Sequence, residues 1–271
     1  MSSDLTEFYT REKANDPAYA AGSYDVRALL ARRPFQEWVK KHRGGTRVRV
    51  LDVGCGRGVF IKDMVTLLGE RGVSVSQVVG VDLMEEHPAA VTALKVPLEY
   101  HRQSIDGCPL PFDTDRFDFI SCNHVLEHVF RTEYVAREFW RVLAPDGLCL
   151  ISVPNLAFWG NRVALLFAGQ PIGTEVGTET TTYGFWPKCG QKHLAQFRTA
   201  GHIRDFTPRA LADLTTRCGF RVVGWWNHDE RWWLRWTAWS GRNVGVLLQK
   251  RIHASSMCPE SGSCTKVDCN G

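Results

Sequence analysis

The stretch Val48-Arg-Val-Leu-Asp-Val-Gly54-Cys-Gly56-Arg-Gly58 constrains this chain more than any other. An apolar run that breaks into alternate glycines, followed by the helix-patterned run Val59 to Leu68, predicts strand, tight turn and helix. Glycines there let the backbone turn sharply and approach a ligand without side-chain obstruction, which is how a nucleotide site begins. The spacing is G-x-G-x-G, whereas a dinucleotide fingerprint would place its last glycine where Val59 stands. Asp52 adds a charge argument. A carboxylate facing the turn repels a pyrophosphate and attracts a ligand carrying an ammonium and a sulfonium. A cationic adenosyl ligand fits better than NAD, so an NAD-linked oxidoreductase is disfavoured.

The alternation continues downstream. Gln77 to Leu83 reads as a strand, Glu85 to Leu94 as a helix around Pro88, and Leu98 to Tyr100 as a short strand. Phe117 to Cys122 and Leu148 to Val153 read as buried strands, with an amphipathic helix over His124 to Leu143 between them. Leu156 to Ala168 is apolar and helical. Thr207-Pro208 opens a helix that Gly219 ends, and Phe220 to Trp226 and Val244 to Lys250 are the last strands. Strands alternating with helices imply an α/β, doubly wound, mainly parallel sheet covered on both faces. We expect a helical cap over residues 1–46, with two short helices between Tyr24 and His42. The main domain would span 47–252, with an insertion or lid at 155–203 and a tryptophan-rich segment at 225–243. The cysteine-containing tail, 253–271, reads as flexible.

Asp82 closes the second strand, where a carboxylate can accept from both ribose hydroxyls, and Asp106 follows the third, where an acceptor can read an adenine amino group. Taken singly, each also fits a cap or turn residue, and the glycines also fit a bare strand-to-helix connection.

Five segments in order, Val50 to Phe60, Val79-Gly-Val-Asp82, Asp106-Gly-Cys-Pro-Leu-Pro-Phe112, Arg116 to Ile120 and Arg141-Val-Leu-Ala-Pro-Asp-Gly147, resemble the successive motifs of class I S-adenosylmethionine-dependent methyltransferases. The resemblance covers about residues 48–154, with weaker echoes at Gly201 to Pro208 and Cys218-Gly-Phe220. It implies a Rossmann-like sheet of seven strands whose last runs antiparallel. It also implies that S-adenosylmethionine is the cofactor, leaving as S-adenosylhomocysteine. By the same resemblance Asp52, Gly54, Cys55, Gly56 and Gly58 hold the methionine part, Asp82 and Leu83 the ribose, and Ile105 and Asp106 the adenine. Asn123 would flank the sulfonium.

Methyl transfer from a sulfonium needs in-line placement of a nucleophile and exclusion of water, and a general base only where the acceptor loses a proton. His124, Glu127 and His128 follow the fourth strand and are the candidates. On the expected helix His124 and His128 share one face. The sequence assigns no resident metal. Still, His124-x-x-Glu127-His128 is a spacing a metal site could use, with His202 or His193 added from the insertion. Methyltransferases of catechol-like acceptors or RNA ends carry Glu-x-x-Glu-His there, and this chain departs from them by His124. In the plainer reading Glu127 and His128 organise the start of the helix and the pocket wall.

The acceptor is expected to be a small or medium-sized apolar, aromatic or lipid-like metabolite, methylated on oxygen or nitrogen. The alternatives are a metal-assisted methyltransferase of a catechol or RNA end, and a non-catalytic S-adenosylmethionine-binding interaction protein. Trp225, Trp226, Trp232, Trp233, Trp236 and Trp239 crowd one segment with Arg231, Arg235 and Arg242. They fit an apolar pocket, a peripheral membrane contact or a helix packed on the sheet. The 271 residues are 44% hydrophobic and 23% charged with net charge +4, which excludes a fibrous or disordered chain and points to no polyanion partner. The eight Lys and Arg from Arg27 to Arg49 read as a solvated helical face, so nucleic acid is not expected. No run reaches the ~20 apolar residues of a membrane span, and Met1 to Pro17 lacks a signal-peptide core, so a cytoplasmic location is expected. Nine cysteines at scattered spacings make a poor disulfide framework. Cys55, Cys108, Cys122, Cys149 and Cys218 read as buried free thiols. His253, Cys258, Cys264 and Cys269 lack the close C-x-x-C pairs of a zinc knot.

Overall fold

The computed structural model describes residues 26–45, 47–84, 96–177, 180, 182–185, 201–227 and 239–251. The strands are β1 (Val48–Val53), β2 (Val75–Asp82), β3 (Leu98–Arg102), β4 (Phe117–Asn123), β5 (Leu143–Pro154), β6 (Phe220–Trp226) and β7 (Asn243–Lys250). The helices among the described residues are α1 (Arg33–His42), α2 (Val59–Glu70), α3 (Thr132–Val142), α4 (Trp159–Leu166) and α5 (Pro208–Arg217), with short 3-10 turns at Val26–Ala31 and Leu126–His128.

One sheet holds all seven strands in the order β3-β2-β1-β4-β5-β7-β6. β1 pairs in parallel with both β2 and β4, and β7 runs antiparallel between β5 and β6. This is the seven-stranded Rossmann-like arrangement implied by the sequence. The order reverses between β1 and β4, and in such sheets ligands bind beyond the strand ends at that switch.

Burial on both faces explains why the strands read as apolar runs. On one face Val135, Ala136 and Phe139 of α3 and Leu211 of α5 pack with Leu51, Val53, Ile120 and Ile151. On the other, Phe35, Trp38 and Val39 of α1 and Phe60, Ile61 and Met64 of α2 pack with Val48, Val50, Phe119 and Leu150. Pro34 sits in the first turn of α1, so it starts that helix rather than breaking it. The Thr207 side chain caps α5 by accepting from the Ala210 N–H at 3.2 Å.

Three expectations are corrected. The helix foreseen from His124 begins only at Thr132; one 3-10 turn precedes it, and β5 starts at Leu143. The helix foreseen over Leu156 to Ala168 is trimmed to Trp159–Leu166. Cys108 is disulfide-bonded, whereas Cys55, Cys122, Cys149 and Cys218 are free and buried as expected. Sequence spacing does not say which cysteines meet in space. The expected helix from Glu85, His193, Arg231, Trp232, Trp233, Arg235, Trp236 and the tail lie outside the described residues.

Candidate active site

The glycine turn hangs from the end of β1. Gly54, Gly56 and Gly58 have φ of 72°, 48° and 77°, the left-handed region where side chains are disfavoured. Gly54 and Cys55 donate to the Val81 carbonyl of β2, at 2.7 and 3.3 Å. A Cβ on Gly54 would also collide with Val125, a residue that no local sequence signal singles out. Cys55 is buried with its sulfur near Gly80, and burial, then the charges of Asp82 and Asp52, push its thiol well up, so it is neutral.

Two carboxylates frame the turn. Asp52 is buried, and burial pushes it up to about 7; the Ser121 hydroxyl, donating at 2.7 Å, opposes that rise, and the charge of Asp82 adds to it. Asp82 is oriented by backbone: one oxygen accepts from Gly56 at 2.7 Å, the other from Leu83 at 2.7 Å and Met84 at 3.1 Å. This cradle fits an adenosyl ligand bearing positive charge. At Gly54 it has no room for a side chain, and fixed donors orient both acids. Asn123, at the end of β4, accepts from Ser152 at 2.8 Å while its buried Nδ2 has no partner.

Asp106 is placed differently. Its two oxygens accept the N–H groups of Phe130 and Arg131, each at 2.9 Å, so the carboxylate ties the loop after β3 to the entrance of α3. Ile105 packs against the core beside it.

Beyond β4 the chain leaves the strand through His124, whose φ of 54° is strained for a non-glycine residue. His124 and His128 therefore do not share a helical face. Instead they meet at Glu127, which is 1% exposed. Its Oε1 lies 3.2 Å from His124 Nδ1 and 4.0 Å from Nε2 of both His128 and His202. Burial alone would push Glu127 up, but the His124 hydrogen bond and the three neighbouring imidazoles outweigh it and hold the carboxyl below its ordinary value. Glu127 Oε2 is buried without a hydrogen-bond partner.

The tautomers follow from the carbonyls around them. His128 Nδ1 lies 3.0 Å from the Gly201 carbonyl and His202 Nδ1 2.8 Å from that of Gly173. A carbonyl only accepts, so both Nδ1 atoms carry hydrogen, and the Nε2 atoms are the ones that face Glu127 Oε1, at 4.0 Å. Glu127, His128 and His202 bring their ligand atoms within 4.8 Å of one another, a group able to hold a cation. Ser121, Ser152 and Val125 were missed in the sequence. The two serines left one signal, a hydroxyl in an otherwise apolar strand that must find a partner.

The methyltransferase-domain family matches residues 14–224 of this chain. The chain belongs to that family. The chain is 32% identical over 136 residues to a ubiquinone biosynthesis O-methyltransferase of Pseudomonas fluorescens, covering 48% of this chain and 53% of the relative. It thus spans about half the length of the curated relatives it matches. In fold it is similar to an S-adenosylmethionine-dependent methyltransferase from Mesorhizobium loti (TM-score 0.51, 18% identity, 82% of this chain and 100% of that one). It is also similar to the 1,6-didemethyltoxoflavin-N1-methyltransferase of Burkholderia thailandensis, solved with S-adenosylhomocysteine (TM-score 0.53, 17% identity, 92% and 86%).

Proposed function

We propose that this methyltransferase methylates an oxygen of a small apolar or aromatic acceptor, with the group around Glu127 handling the acceptor's proton. The observation that carries the reading is a buried, ionised carboxylate ringed by three imidazoles, placed just past β4 beside the glycine turn. The likeness to O-methyltransferases over half their length supports it.

S-adenosylmethionine, when bound, supplies a methyl group on a sulfonium. Asp52 and the glycine turn hold its charged end, and Asp82 its ribose. Asp106, its oxygens already engaged by Phe130 and Arg131, closes the adenine side together with Ile105. His124 accepts the acceptor's hydroxyl proton at an imidazole nitrogen, and Glu127 stabilises the resulting positive ring. His128 and His202, each anchored by a carbonyl, orient the acceptor and shut out water. The acceptor oxygen gains the methyl and loses its proton; the sulfonium becomes a thioether.

The test offers methyl-labelled S-adenosylmethionine with phenols, catechols and alkylated phenols. Label on an acceptor oxygen, lost in Glu127→Gln while S-adenosylhomocysteine still binds, is the expected result. Cofactor binding with no label in any acceptor would overturn it and favour a non-catalytic binding protein.

A second reading, assistance by a divalent cation, is favoured by the convergence of Glu127 Oε1 and the Nε2 atoms of His128 and His202. The donor set suits zinc or manganese, and the carbonyls behind both rings supply the outer support such ligands use. Transfer unchanged in chelator, by protein free of bound metal, would remove it.

A further inference from the structure

Helix α4 is inside out. It buries Asn161 and Ala164, while Trp159, Val163 and Leu166, at i, i+4 and i+7, form one outer stripe continued by Phe167. Leu166 is 79% exposed, the highest among the exposed large apolar residues described. The inward polar residue is fully used. Asn161 donates to the Leu156 and Ile172 carbonyls and accepts from the Ile172 N–H at 2.8 Å, which fixes which face points out. A soluble surface helix has the reverse arrangement.

Guanidinium groups border this stripe. Arg162 hydrogen bonds to the carbonyls of Ala157 and Trp239 at 2.8 and 3.0 Å, which keeps its charge at the surface. Arg209 lies 5.7 Å over the Trp239 ring, and Arg242 lies 5.8 Å over Phe158, whose ring contacts Trp159. Between Asn155 and Gly177 the sole acid is Glu175, and its carboxylate is engaged by the N–H groups of Gly201 and His202. An apolar stripe with tryptophans at its edge, arginines around it and no free acid within its segment matches a surface that is apolar inside and anionic outside.

We propose that α4 docks on an anionic lipid bilayer, its Trp159–Val163–Leu166 stripe entering the acyl boundary and its arginines meeting lipid phosphates. The position gives this contact a use. The loop held by Asn161 carries exposed Ile172 and Val176 and supplies the Gly173 carbonyl that anchors His202 over Glu127. The docked face is thus the outer side of the wall that faces the candidate site, and an apolar acceptor reaches that site from the lipid. The docking itself does not depend on methyl transfer.

The full chain is floated with phosphatidylcholine vesicles, with and without phosphatidylglycerol. It should partition onto the anionic vesicles, and V163E/L166E should lose about tenfold or more of that partitioning, because two charges replace apolar side chains at the acyl boundary. Arg209→Gln should weaken binding to the anionic vesicles and leave binding to neutral ones unchanged. Both sites are on the surface, and unchanged S-adenosylhomocysteine affinity and unfolding midpoint verify the fold. Absent flotation of the wild type, or flotation indifferent to V163E/L166E, overturns the proposal. So does a wild-type dimer that V163E/L166E dissociates, since a second copy would then cover the stripe.

Discussion

A Cβ on Gly54 would stand 2.0 Å from Cγ2 of Val125, so the turn after β1 and the loop after β4 meet with no room for one more carbon. Gly54→Ala should therefore fail twice. Its φ of 72° costs an alanine about 1–2 kcal/mol, and the overpacking adds about 1–3 kcal/mol. We expect a lower urea midpoint and a loss of S-adenosylhomocysteine affinity by calorimetry. G54A/V125A should recover only the packing share. A single variant with wild-type stability and affinity would contradict the close approach.

The Asp106 carboxylate holds the N–H groups of Phe130 and Arg131 just before α3, as a helix cap would. Asp106→Ala should cost about 1 kcal/mol, the scale for losing such a cap, with Asn retaining one of the two bonds and falling between. Urea unfolding measures the cost, and faster hydrogen exchange at the Phe130 and Arg131 amides localises it. Stability equal to the wild type would deny the tie.

These two contacts show where the sequence was legible. Strands buried on both faces announce themselves as apolar runs, and the glycine turn and Thr207 cap are local chemistry. The start of α3 is not legible locally, because Leu126, Val129, Val135 and Phe139 keep an apolar pattern across the break. Distant partners decide it. The Glu127 carbonyl accepts from Ile203 and Arg204, and the Arg204 guanidinium takes the Val129 and Phe130 carbonyls, acceptors that a continuous helix would have used itself. Likewise the pairing of Ser121 with Asp52, and of Ser152 with Asn123, needs the strand order β1-β4-β5, which no single strand encodes.

Burial pushes Asp52 from 3.8 up to about 7, so its ionised form is disfavoured in the folded protein. Below the unfolded value both states hold the proton and the group contributes nothing. As pH rises above it, the unfolded chain ionises while the folded one retains its proton. Stability then falls until the folded group also ionises, by about 4 kcal/mol in all at roughly 1.4 kcal/mol per pKa unit. Asp52→Asn should therefore be less sensitive than the wild type between pH 4 and pH 7, where Asp52 titrates. Parallel urea titrations of both proteins across that window give the difference, which cancels the other titrating groups. Identical slopes would mean that Asp52 is not desolvated.

Three histidines approach the buried Glu127 carboxylate within 4.0 Å, and its role in transfer separates from its role in the fold. Its backbone carbonyl, not its side chain, accepts from Ile203 and Arg204, so Glu127→Gln leaves that junction in place. The amide keeps the shape and loses the charge that steadies a protonated His124. We expect kcat to fall by about 10²–10⁴, the range for general acid–base catalysis, with S-adenosylhomocysteine affinity within about twofold of wild type. His124→Asn should match it, because asparagine tolerates the left-handed backbone of residue 124 but cannot take a proton. If both act on the same proton, E127Q/H124N should be no slower than the worse single variant. Additive losses would assign them separate tasks, with Glu127 acting through His128 and His202 instead.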